Sequence, residues 1–178
     1  AKKPGQLALH VHHTADRKTY VVDGSNFWRM TNYVPSVTFN TVTDLDILRN
    51  AGKAFGEFQM DLADFDIDQL IETIPGFHNT RQRYEKLLQA VRENKAGRAD
   101  EVREEIDFLL SVQDKACRLT DLQMAGELPL RVTHNDTKIN NVLFHPETSD
   151  AMIVIDLDTV MPGLMGHDFG DAIRFAAN

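Results

Sequence analysis

Apolar positions in this chain change their period twice. Up to about residue 34 they fall in short runs of β-branched and aromatic residues, at Leu7–His13, Thr19–Val22 and Phe27–Tyr33. The turn signals Ala15-Asp16-Arg17 and Asp23-Gly24-Ser25-Asn26 separate these runs, so three strands are predicted. From Thr43 the period is helical. Thr43-Asp44-Leu45-Asp46 reads as a capping box with Asp in place of Glu, and Leu45, Leu48, Phe55, Phe58 and Leu62 follow at helical spacing. Phe65 to Pro75 reads as a loop or short helix. Thr80 is the predicted cap of a second helix through about Arg92, with Tyr84, Leu87, Leu88 and Val91 inward. A third helix is predicted from Ala99 to about Leu119, with Val102, Ile106, Leu109 and Leu110 as its stripe. After Pro129, strand-like runs return at Arg131-Val132-Thr133, Val142-Leu143-Phe144 and Met152-Ile153-Val154-Ile155. Strands, then helices, then a short β segment is an α+β order.

Composition narrows the classes. A chain of 178 residues can build one ordinary core. With 19 basic and 27 acidic residues the net charge is -8. That balance disfavours a nucleic-acid or anionic-membrane binder. One cysteine, Cys117, allows no intrachain disulfide and suits a reducing cytoplasm. No run approaches the length of a membrane span, and no signal-peptide pattern is visible. The expectation is a cytoplasmic protein.

Candidate chemistry lies between the late strands. His134-Asn135-Asp136-Thr137-Lys138-Ile139-Asn140-Asn141 has the spacing H-x-D-x-K-x-x-N, and the last apolar run ends at Asp156. A carboxylate, an amide five residues on and a second carboxylate beyond a strand form a phosphoryl-transfer constellation. Asp136 can accept a proton from an attacking hydroxyl. Asn141 and Asp156 can hold Mg²⁺, which needs few protein ligands beside phosphates and water. Lys138 is placed to reach the transferring phosphate. Asp136 alone would read as a turn residue or cap, and only the joint pattern carries the chemistry. Asp168-Phe169-Gly170 spells the protein-kinase metal motif, but no apolar strand delivers it. Its local reading is a helix N-cap before Ala172, Ile173, Phe175 and Ala176.

Here the chain resembles the aminoglycoside phosphotransferase and choline kinase-like family, relatives of the protein kinases. The resemblance covers His134 to Asn141, Ile155-Asp156-Leu157-Asp158 and Asp168-Phe169-Gly170-Asp171-Ala172. Within that family, Thr133 to Lys138, Ile155 to Gly163 and Pro75-Gly76-Phe77-His78-Asn79-Thr80 are similar to the N-acetylhexosamine 1-kinases. The resemblance implies a protein kinase-like fold. Residues 1–34 would be the last strands of the small lobe and 35–178 an incomplete large lobe. Tyr33 and Val34 in the hinge would meet the adenine of ATP. His134 and Asp168 would brace the loop, and Asp158 and His78 would be candidates for substrate contact. The implied reaction is ATP- and Mg²⁺-dependent transfer to a small-molecule hydroxyl, foremost the anomeric hydroxyl of an N-acetylhexosamine. An aminoglycoside, choline or another small alcohol is the alternative acceptor, and a non-catalytic sugar- or partner-binding module is the alternative class. Asn135 replaces the arginine usual in protein kinases, and no A-P-E-like segment follows Asp168, so a protein substrate is not expected. Neither a glycine-rich loop nor a V-A-I-K-like strand is present. The resemblance therefore implies a fragment of a longer kinase, inactive alone and with apolar surface that favours self-association.

Plainer readings stand beside these. His10 and His12 share a strand face but lack a third ligand, so they read as surface histidines. Cys117 reads as a packed small residue, Glu101 to Asp107 as a solvated helix face, and Trp28 and Tyr33 as core or hinge packing. Asp158, read as lying on the same side of a strand as Asp156, could touch a second metal or a sugar hydroxyl, or be a solvated strand end.

Overall fold

The computed structural model describes residues 8–42 and 44–177, so the predicted strand start Leu7 and the box residue Thr43 lie outside the described residues. The elements are β1 (Val21–Asp23), β2 (Asn26–Trp28), α1 (Leu45–Asp61), α2 (Thr80–Glu93), α3 (Arg103–Ser111), α4 (Gln113–Met124), β3 (Arg131–Thr133), β4 (Val142–Phe144), β5 (Ala151–Val154), β6 (Met161–Gly163) and α5 (Met165–Ala176). The chain divides into two compact units. One comprises Ala1–Leu62, Asp136–Leu157 and Asp171–Asn178, the other Ala63–Asn135 and Asp158–Gly170.

In the first unit β1 and β2 form an antiparallel hairpin, Val21 opposite Trp28, turning at Gly24 with φ +60. Among the described residues the flanking runs form one isolated bridge, between Val11 and Thr31, so the predicted strands are shorter than their β-branched runs. Helix α1 is capped by the Asp44 carboxylate, which accepts from Asp46 N at 2.9 Å. Its buried stripe is Ile47, Ala51 and Phe55, at i, i+4 and i+8; of the predicted stripe Phe55 is buried, Leu48, Phe58 and Leu62 are half-buried, and Leu45 is exposed. The stripe follows the surface α1 covers, which is the β4–β5 hairpin. Ile139, Val142 and Phe144 complete that core, and Phe39 packs edge-on to Phe144 at 5.1 Å. Burying each such side chain contributes on the order of 1.5–3 kcal/mol. The core thus fixes both ends of the segment Asp136 to Asp156.

In the second unit the cap of α2 is Asn79, whose Oδ1 accepts from Gln82 N at 3.1 Å; Thr80 is the first helical residue. Asn79 follows the tight turn at Gly76 (φ +66), which places it one residue before the helical dihedrals begin. Tyr84 is buried and donates to Leu109 O at 2.8 Å. The predicted third helix is two. It breaks at Val112, whose N–H is split between Phe108 O and Leu109 O at 3.3 Å each, while Ser111 Oγ donates to Phe108 O at 2.7 Å. Of the predicted stripe only Ile106 is buried. Arg81 forks onto Asp121, joining α2 to α4 at 2.7 and 2.6 Å. Strand β3 pairs antiparallel with β6, Thr133 opposite Met161. A Cβ on Gly163 would lie 2.2 Å from Thr133 Oγ1, so this close pairing requires glycine.

Candidate active site

In the first unit the loop after β3 folds back on itself. Asn141 Nδ2 donates to Asp136 O at 2.8 Å and to Asp136 Oδ2 at 3.1 Å. Lys138 Nζ lies 2.8 Å from the same Oδ2. Asp136 first, then the fields of Asp156 and Asp171, raise the Lys138 ammonium above its usual range against a smaller opposing effect of burial. Ile155 N donates to Asn141 O at 2.8 Å, which extends the β4–β5 ladder to the residue before Asp156. There the backbone turns left-handed, φ +61, and Asp156 is exposed. Thr137 N donates to Asp171 Oδ2 at 2.9 Å, and Arg174 forks onto Asp171 Oδ1 at 3.0 and 2.8 Å.

In the second unit Asp168 is buried. Its carboxylate accepts from His134 N at 2.9 Å and Asn135 N at 2.7 Å. It sits inside the first turn of α5, three residues past the helix start, so it is not the N-cap; the helix begins earlier, at Met165. His134 is fully buried, and its carbonyl accepts from Thr159 Oγ1 at 2.7 Å. Asn135, at φ +66, donates from Nδ2 to Thr159 O at 2.9 Å. Asp158 lies in a 3-10 turn, Leu157–Thr159, and not on a strand: strand β5 ends at Val154 and the left-handed residue 156 redirects the chain. Its carbonyl accepts from Thr73 Oγ1 at 3.1 Å. His78 stacks on His167, ring centroids 4.7 Å apart, in a cavity of about 360 Å³. Burial, then the neighbouring His78, lowers the His167 pKa below the usual histidine value, and Asp168 opposes this weakly.

The model of one protein family, the phosphotransferase enzyme family (APH), matches residues 8–178. The chain belongs to that family. It is a kinase-type phosphotransferase with a small-molecule acceptor, and membership implies ATP, usually with Mg²⁺. The residues of this phosphotransferase fit such a metal by chemistry. Asn141 has its nitrogen committed to Asp136, so its oxygen would face a metal, and Asp156 would add a carboxylate. Both are hard oxygen donors of the kind Mg²⁺ takes. Among the described residues no group of three or more His, Cys, Asp or Glu could hold a metal, His10 and His12 included.

Asp136, Lys138, Asn141 and Asp156 thus belong to one unit of the phosphotransferase, and His134, Asp168, Asp158 and His78 to the other. Tyr33 is exposed, and the Val34 carbonyl accepts from Ser36 Oγ at 2.9 Å. Sequence reasoning passed over Asp171, Thr159 and the Asn135 side chain. Asp171 had a signal: it lies three residues after Asp168, one helical turn apart, on a helix whose first carboxylate already meets the loop.

Proposed function

We propose that this phosphotransferase moves the γ-phosphoryl group of ATP to a hydroxyl of a small polar molecule, foremost the anomeric hydroxyl of an N-acetylhexosamine. The observation that carries the reading is the Asp136 carboxylate held between the Asn141 amide and the Lys138 ammonium. Asp136 orients the acceptor hydroxyl and takes its proton as the oxygen bonds to phosphorus and ADP departs. Lys138, charged throughout the neutral range, neutralises charge on the moving phosphoryl. Asn141 and Asp156 would hold Mg²⁺, which would supply further neutralisation at the phosphates. Asp168 and His134 brace the loop, and Tyr33 and Val34 meet the adenine in a kinase-like hinge that ends the small lobe at residue 34. Asp158 and His78 belong to the acceptor side, and the enzyme works in the cytoplasm. Among the described residues no helix is long and apolar enough to cross a membrane.

In the whole protein, Asp136→Asn keeps the size and hydrogen-bonding shape of the side chain and removes the base. ATP affinity stays within about twofold, and kcat for N-acetylglucosamine or N-acetylgalactosamine falls by about 10² or more, the range of general-base catalysis. A kcat equal to wild type removes Asp136 from this role.

A further inference from the structure

The cavity of the second unit holds a ligand chemistry that the loop does not. Its polar wall is Glu72, His78, Asn79, Gln123, Asn135 and His167, and its apolar wall includes the ring of Phe77. All of these residues lie in one compact unit. At about 360 Å³ it falls in the range of small-molecule sites. Its charge is decisive. Among the described residues no lysine or arginine lines it, and Glu72 brings one carboxylate. Burial keeps the His167 imidazole neutral at pH 7. Phosphates and nucleotides therefore find no lysine or arginine there, and a dication finds no second carboxylate. What the wall offers is hydrogen bonding in both senses. The Glu72 carboxylate accepts, though one oxygen already takes Gly76 N at 2.8 Å. The Asn79 amide nitrogen donates, since its Oδ1 caps α2. Gln123 does both, and each imidazole does one or both. An aromatic face beside carboxylate and amide groups suits a ring that is apolar on its faces and hydroxylated at its rim.

We propose that this cavity binds a neutral small molecule bearing hydroxyl and amide groups, of monosaccharide size. The inference deepens the acceptor side of the reading above and rests on it for the choice of sugar. Its test is a titration of the full chain without nucleotide or Mg²⁺ at pH 7.5, read by the ring signals of His78 and His167 in NMR. The probes are N-acetylglucosamine, inorganic phosphate and choline. N-acetylglucosamine shifts both histidines saturably, and phosphate and choline leave them unmoved. Glu72→Gln and Gln123→Leu each weaken the sugar at least tenfold, with melting curves run alongside to show that each variant folds. No saturable shift, a preference for phosphate, or unchanged affinity in both folded variants overturns the proposal. A wild-type transfer assay with the same sugar separates the two readings. Transfer without a histidine shift sinks the cavity and spares the acceptor assignment. A histidine shift without transfer supports the cavity and sinks that acceptor.

Discussion

Asp168 and Asp156 show how differently two carboxylates, one in each unit, are held. Asp168 is 3% exposed and spends both oxygens on main-chain amides. Asp168→Ala strands two buried N–H groups, each costing about 1–3 kcal/mol. Denaturant unfolding of that variant is expected to show a loss of about 2–5 kcal/mol. Asp156 is exposed and left-handed, so Asn is the replacement that keeps its backbone while removing its charge. Asp156→Asn is expected to leave stability within about 0.5 kcal/mol, as exposed sites do, and to weaken Mg²⁺-dependent nucleotide binding by tenfold or more in titration calorimetry. Mg²⁺-dependent binding lost in Asp168→Ala while intact in Asp156→Asn reverses the assignment. At this scale the sequence was legible where side chain meets side chain. The interval from Asp136 to Asn141 is short enough to close a loop, and it closes. Thr159 was hidden because its hydroxyl acts on the His134 carbonyl, and no residue type marks which backbone group needs a partner.

Element types came through more faithfully than element edges. The mixed order of strands, helices and a late β segment stands, in keeping with the family match. Strand β6 escaped notice because Met161-Pro162-Gly163 spells a turn. Proline survives there because, among the described residues, β6 pairs with β3 alone. The stripe of α1 was legible at Phe55 but not at Ile47 and Ala51, because apolar residues outnumber the buried positions, and only packing against β4–β5 chooses among them. Caps are decided by dihedrals, so Asn79 displaced Thr80. Asn79→Ala is expected to cost about 1 kcal/mol in denaturant unfolding, whereas Thr80→Ala costs less than half of that. The opposite order would return the cap to Thr80.

The whole molecule carries a pH dependence that its site does not announce. The folded His167 pKa lies below the ordinary 6.5, so the unfolded chain binds the proton first. Stability is then full above about pH 6.5 and falls as pH drops through the folded value. Asp121, held low by Arg81, gives up its contribution only below the carboxylate value of 3.8, well clear of that window. Thermal unfolding between pH 7.5 and 5.5 is expected to show the decline, and His167→Gln to flatten it; an equal slope in that variant assigns the decline elsewhere. The β1–β2 hairpin exposes Phe27 at 72% and Trp28 at 62%. Such a patch favours association. The 178-residue chain is expected to elute above its monomer mass at high concentration, and Trp28→Ser to move it back; identical elution of both would clear the hairpin. The left-handed backbone at Asp156 also constrains descent. A lineage that gives up catalysis but keeps the fold has few residues to drift into there, chiefly asparagine and glycine, since others strain the turn that closes the β4–β5 ladder. On the metal-binding role proposed for Asp156, relatives with Asn or Gly at this position would be folded binding proteins that have retired from chemistry.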